Sequence, residues 1–193
     1  MVVAAVGVTA GGAWLIASGT VGRGATGALP APRFVEEAAA AGIEHAFSGE
    51  LPYLVGGGVA TFDCDDDGMP DIYLAGGDAP AELFRNRSTV GGGLRFEPVP
   101  DPATALVAVT GAYPLDVDGD RRTDLMVLRR GEDVLLRGLG ECRFTRANES
   151  LRFDGGDGWT VAFSATWEDP AAALPTLALG DYQELDADGT WTG

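Results

Sequence analysis

The sequence predicts an all-β fold, a partial β-propeller of about three blades with Asp-rich loops between strands. Three observations predict it. Short apolar runs recur along the chain, each bounded by Gly, Pro or Asp, as expected of many short strands. An Asp-rich segment occurs twice with the same internal spacing. The two copies begin at Asp63 and Asp116, 53 residues apart, close to the ~40–50-residue period of propeller blades.

Size and composition bound the reading first. A chain of 193 residues with 46% hydrophobic content has room for a sizeable core and is not a disordered polypeptide. Its formal net charge of −16 excludes a nucleic-acid partner, because affinity for a phosphate backbone comes from Lys and Arg displacing counterions. The acidity is concentrated: nine of the 29 acidic residues fall between Asp63 and Asp71 or between Asp116 and Asp124. Such stretches suit a cation.

Residues 2 to 22 carry no charge, and a helix of that length would cross a ~30 Å hydrocarbon core. They read as an export signal or a membrane anchor, which places the protein outside the cell or on its surface. Residues 27 to 32 read as a linker, so that 1–32 forms a leader unit and 33–193 the globular part. Phe34 to Gly42 is Ala-rich with Glu36 and Glu37 near its start, a pattern for a short helix. Beyond it the strand candidates are 58–62, 71–75, 106–109, 125–128, 134–136, 160–163 and 177–179.

The duplication aligns GGVATFDCDDDGMPDIYLAGG (57 to 77) with GAYPLDVDGDRRTDLMVLRRG (111 to 131), strand, acidic loop and strand in both. Asp63, Asp65, Asp67 and Asp71 hold positions 1, 3, 5 and 9 of the first loop, and Asp116, Asp118, Asp120 and Asp124 those of the second. Calcium takes six to eight oxygens, and carboxylates at alternating positions of a tight turn converge on one centre. Backbone carbonyls of Met69 and Arg122, at position 7, would add a further ligand each. An EF-hand is rejected, because its bidentate Glu at position 12 is replaced by Leu74 or Val127 and the flanks are strands. The alternative is a pair of solvated acidic turns, since Asp and Gly favour turns in any case. In the second loop Arg121 stands where the first has Gly68, and its glycine, Gly119, comes two residues earlier. A third, weaker copy starts at Thr176, where Asp186 and Asp188 precede Gly189. Asp181 there has Gln183 and Leu185 at positions 3 and 5, so no third site is assigned.

Two cysteines, Cys64 and Cys142, are compatible with one disulfide in an exported protein. Cys64 lies in an acidic loop and Cys142 in a strand-like segment one repeat later, and two free, buried thiols are the favoured expectation. No zinc-type spacing is present.

On these residues the chain resembles the FG-GAP (VCBS) repeats of the cartilage acidic protein family. FVEEAAAAGIEH (34 to 45) is similar to the family's opening segment, GVATFDCDDDGMPDIYL (58 to 74) to its calcium-loop repeat, LFRN (83 to 86) to the end of a blade hairpin, and GDGWTVAFSATWED (156 to 169) to a later strand pair. The resemblance implies a propeller like the integrin α-subunit head, with calcium between the first two strands of a blade. It implies an extracellular protein or glycan as partner, with adhesion or recognition as the role. Three blades do not close a ring of the usual 4–8, so the remaining blades are missing or are supplied by association.

An enzyme is not expected. The only histidine, His45, lies away from any nucleophile elbow, and the Gly clusters do not precede helices. The alternative is a carbohydrate-active hydrolase or lyase that uses paired carboxylates with Trp159 and Trp167 as a stacking platform. The clustered carboxylates are, however, already assigned to the cation loops.

Overall fold

Six of the seven strand runs that the sequence delimits by Gly, Pro or Asp form strands in three antiparallel sheets that follow one another along the chain. A computed structural model of the protein describes residues 31–50, 53, 57–169, 171–185 and 190–192. The first sheet is a meander of β1 (Val59–Phe62), β2 (Asp71–Leu74), β3 (Glu82–Asn86) and β4 (Phe96–Pro98). The second repeats it with β5 (Val109–Leu115), β6 (Asp124–Arg129), β7 (Val134–Gly140) and β8 (Arg143–Arg146). The third contains β9 (Trp159–Thr166), β10 (Thr176–Leu185) and β11 (Trp191–Thr192), in that order across the sheet.

Successive sheets are stitched at equivalent points. Just past β2, Gly77 bridges to Val109 at the start of β5; just past β6, Arg130 bridges to Trp159 at the start of β9. This correspondence sets the third repeat. The sequence begins it at Thr176, but its first strand is β9, and Thr176 opens the second strand. The connection between β9 and β10 carries Glu168 and Asp169 in place of the alternating Asp array, which is why that copy escapes a search for Asp spacing. Asp186, Asp188 and Gly189 lie outside the described residues, as do the uncharged leader and residues 27–30 of the linker.

The middle sheet is buried on both faces, and this explains why β6 reads as a continuous apolar run and not as an alternating one. Leu125 and Val127 join Phe62, Tyr73 and Leu83 of the first sheet in one core. Met126 and Leu128 face the other way, with Phe163 and Leu179 of the third sheet packed against them. Phe62 and Phe144 meet edge to face across the first seam, ring centroids 6.2 Å apart. Gly58 is required there, because a Cβ on it would lie 2.8 Å from the Gly111 Cα.

Three local expectations are corrected. Phe34 to Gly42 forms no helix: a single turn over residues 38–42 closes when the Ile43 N–H donates to the Ala38 carbonyl (2.9 Å), with Gly42 at φ 90°. One turn of chain does not repay helix nucleation, and the left-handed glycine stops it. The chain then runs beside the first sheet, with the Phe96 N–H donating to the Ala41 carbonyl at 2.7 Å. Residues 106–108 are not strand, because Ala108 takes φ 61° and turns the chain into β5 only at Val109.

Cys64 and Cys142 are not free thiols but a disulfide, with their Cα atoms 4.6 Å apart. Their 78-residue separation in sequence conceals that the first acidic loop packs against the β7–β8 turn of the next sheet. Glu141 and Cys142 form that two-residue turn, both at positive φ (55° and 56°), and the Cys142 N–H donates to the Cys64 carbonyl at 3.0 Å. His45 is structural: its side chain is largely buried, with Nε2 donating to the Ala75 carbonyl at 2.8 Å and Nδ1 3.5 Å from Glu82. Among the described residues no helix is long and apolar enough to cross a membrane.

Candidate metal centres

The two acidic loops, 63–70 between β1 and β2 and 116–123 between β5 and β6, share most of their hydrogen-bonded frame. In each, the position-1 carboxylate turns inward and caps the loop's own backbone. Asp63 accepts from the N–H groups of Asp67 (3.2 Å) and Gly68 (2.8 Å), and Asp116 from those of Gly119 (2.8 Å) and Arg121 (2.9 Å). The position-5 carboxylate accepts from the N–H two residues on, Asp67 from Met69 (2.8 Å) and Asp120 from Arg122 (2.9 Å). These are Asx turns, the local reason Asp is favoured at these points.

Position 9 anchors the loop to the sheet. Asp71, fully buried, accepts from the Cys64 N–H on its own loop and the Asn86 N–H on the third strand, both at 2.8 Å. Asp124, also fully buried, accepts from Val117 and Gly138, again both at 2.8 Å. The loop start, the loop end and β3 or β7 are therefore tied through one carboxylate.

Side chains from positions 1, 3 and 9 converge. In Asp63, Asp65 and Asp71, one carboxylate oxygen from each lies within 4.8 Å of the others, and the same holds for Asp116, Asp118 and Asp124. Position 5 does not join these groups; one oxygen of Asp67 and of Asp120 accepts from the backbone N–H of Met69 and of Arg122. Those two N–H bonds fix position 7, the residue from which a carbonyl ligand is expected.

Burial and mutual repulsion show in the protonation balance. Desolvation pushes the Asp71 carboxyl above the usual Asp range, two backbone N–H groups oppose it, and the charges of Asp65 and Asp67 add to the rise. Asp124 is raised for the same reasons, with Asp118 and Asp120 as its repelling neighbours. Asp120 is lowered, chiefly by the Arg122 N–H and then by the Arg137 guanidinium.

Two residues that the acidic pattern does not reveal complete the geometry. Arg85 on β3 places Nε 3.0 Å from Asp65 Oδ2, and Arg137 on β7 places Nε 2.7 Å from Asp118 Oδ2. Extending the repeat alignment past the loops to the third strands, with a one-residue deletion that sets LFRN (83 to 86) against LLRG (135 to 138), brings these arginines into register.

A hard, oxygen-seeking cation fits this donor set. Each cluster offers carboxylate oxygens only. In the first, Asp65 Oδ1 is buried and has no hydrogen-bond partner, a costly state for a carboxylate oxygen that an ion would relieve. A softer site formed by Cys64, Cys142 and Asp71 is ruled out because the two sulfurs are bonded to each other. Trp159 is buried and meets Tyr182 edge to face, whereas Trp167 is half exposed.

Residues 63–127, from the first aspartate of loop one through most of β6, match a family profile described as an FG-GAP-like repeat. No curated protein matches the chain. The described residues are thus all-β, and the segment that holds both acidic loops is similar to an FG-GAP-like repeat.

Proposed function

We propose that this protein is a calcium-binding, extracellular recognition or adhesion module, the N-terminal part of a β-propeller of the cartilage acidic protein type, with one calcium at each acidic loop. The observation that carries the reading is the duplication itself. Two loops with different sequences, one with glycine at position 6 and one with arginine, cap the position-6 and position-7 N–H groups alike and gather carboxylates from the same positions. Turn preference alone explains an Asp-rich turn but not its repetition in ligand geometry.

Asp63, Asp65 and Asp71 would hold one ion and Asp116, Asp118 and Asp124 the other, with Asp67, Asp120 and the backbone at Met69 and Arg122 nearby. Bound calcium supplies positive charge that cancels carboxylate repulsion and stiffens the loops beside the seam between sheets. The three sheets among the described residues are fewer than the 4–8 that close a propeller, so ring closure requires further sheets from the same polypeptide or by association. Partners are extracellular proteins or glycans. Against hydrolase or lyase chemistry, the grouped carboxylates lie in the metal loops, and a sugar platform of Trp159 and Trp167 would need a ring that is buried in the core.

Thermal unfolding in millimolar calcium and in excess EDTA tests the proposal. At extracellular-type affinities of ~10⁻⁴–10⁻³ M, about 2 mM calcium adds roughly 0.6–1.8 kcal/mol per site. Asp63→Ala and Asp116→Ala should each remove one share of that gain. A cooperative transition at the same temperature with and without calcium would reduce the loops to solvated turns.

A further inference from the structure

The two loops share a feature outside their own sequence: a guanidinium from the third strand of the same sheet, seated on the position-3 carboxylate. Arg85 and Arg137 occupy equivalent places, each one residue before the strand N–H that binds the position-9 aspartate, Asn86 in one sheet and Gly138 in the other. Arg85 is largely buried, its Nε also 3.3 Å from the Cys142 sulfur and its Nη2 3.7 Å from Glu141. Arg137 is more exposed and reaches two loop carboxylates, with Nε 2.7 Å from Asp118 and Nη2 3.1 Å from Asp120.

We infer that Arg85 and Arg137 are resident counter-ions that set the cation affinity of the loops. Each stands in for part of the ion's charge when the ion is absent, and each opposes the ion when it binds. The inference rests on the calcium reading above. A loop of four ionised carboxylates without an ion is repulsive, and an arginine, always charged and fixed by its planar fork, relieves that repulsion without occupying the cluster centre. In the first loop the division is visible: Arg85 takes Asp65 Oδ2 and leaves Oδ1 unpartnered. Because Arg137 neutralises two carboxylates and Arg85 one, the second loop is the weaker site.

The signature is a gain of affinity on removing a residue that touches the site. Coulomb repulsion between a guanidinium and a divalent ion that share one carboxylate is worth about tenfold in affinity, even in water. Calcium titration calorimetry on the whole chain should show Arg85→Gln lowering Kd about tenfold at the site that Asp63→Ala abolishes, with the unfolding midpoint in EDTA falling. Arg85→Lys, which keeps the charge, should stay within about threefold of the parent. An unchanged or weaker Kd in Arg85→Gln would make the arginine a structural partner only and overturn the inference while leaving the calcium reading intact. Absence of calcium binding by the parent chain would overturn both. Should Arg85→Gln not fold, Arg137→Gln, at a more exposed position, is expected to tighten the other site in the same way, and failure to do so counts equally against the inference.

Discussion

Arg121 holds in the second loop the left-handed backbone conformation, φ 68°, that Gly68 holds in the first at φ 82°. The reverse occurs two residues earlier, where Asp66 takes φ 59° and Gly119 φ 77°. Each loop therefore needs two left-handed residues and supplies glycine for only one. Non-glycine residues pay about 1–2 kcal/mol for this conformation, partly offset by glycine's larger freedom in the unfolded chain. Arg121→Gly is expected to stabilise the protein by about 0.5–1 kcal/mol, and Gly68→Ala to destabilise it by about the same amount. Urea unfolding in EDTA measures both without any contribution from a bound ion.

The position-9 aspartates have a structural duty separate from any ion. Asp71→Ala would leave the Cys64 and Asn86 N–H groups without a buried acceptor, at about 1–3 kcal/mol each. A loss of about 2–5 kcal/mol is expected in EDTA as well as in calcium, whereas Asp63→Ala should cost most of its stability only when calcium is present. Equilibrium unfolding of the two variants under both conditions separates anchor from ligand.

Much of this fold was legible in the sequence, because its strands are short, strongly apolar and punctuated. The inter-strand loops were found from Asp spacing, and the same spacing named four carboxylates in each, of which three cluster and the fourth, Asp67 or Asp120, stands outside the group. What escaped depended on contacts between distant segments. The Cys64–Cys142 bond and the Arg85 and Arg137 pairs arise only once the loop of one strand pair meets a neighbouring turn or third strand. The third repeat was misplaced because β9 lacks the aspartates that marked its predecessors, while its Trp159 keeps the bridge to the preceding sheet. The Ala-rich opening segment has helical composition, but Gly42 and the dock beside Phe96 decide its shape.

Asp133 offers a pH test away from the loops. It is buried at the second seam, accepts the Arg129 N–H at 2.7 Å, and lies near the Thr160 hydroxyl, the Asp181 carboxylate and the Arg129 guanidinium. Desolvation raises its pKa from 3.8 to about 6, against the lowering effect of the Thr160 and Arg129 hydrogen bonds. Between these values the native state holds a proton that the unfolded state has released, so stability falls as pH rises through that window and levels off above it. Asp133→Asn keeps an acceptor for the Arg129 N–H and cannot ionise. In EDTA its unfolding free energy should lack the part of the pH 4–6 decline that the parent shows; identical slopes would contradict the assignment.

The disulfide closes a long loop, and by the chain-entropy relation its removal costs roughly 2–5 kcal/mol. Cys64→Ala/Cys142→Ala should unfold at correspondingly lower denaturant, and the parent chain should lose the same increment in reductant. Mass spectrometry of non-reduced peptides is expected to recover 64 and 142 in one linked species.

The covalent link spans the first seam only. The second seam is held by packing, by the Arg130–Trp159 bridge and by the Thr110 hydroxyl donating to the Thr160 carbonyl at 2.7 Å. Under tension the molecule is therefore a locked pair of sheets with a releasable third. A pull from both ends in an optical trap should part the second seam first, at low force, and the extension trace should show the 78-residue span between the cysteines withheld until the bond is reduced.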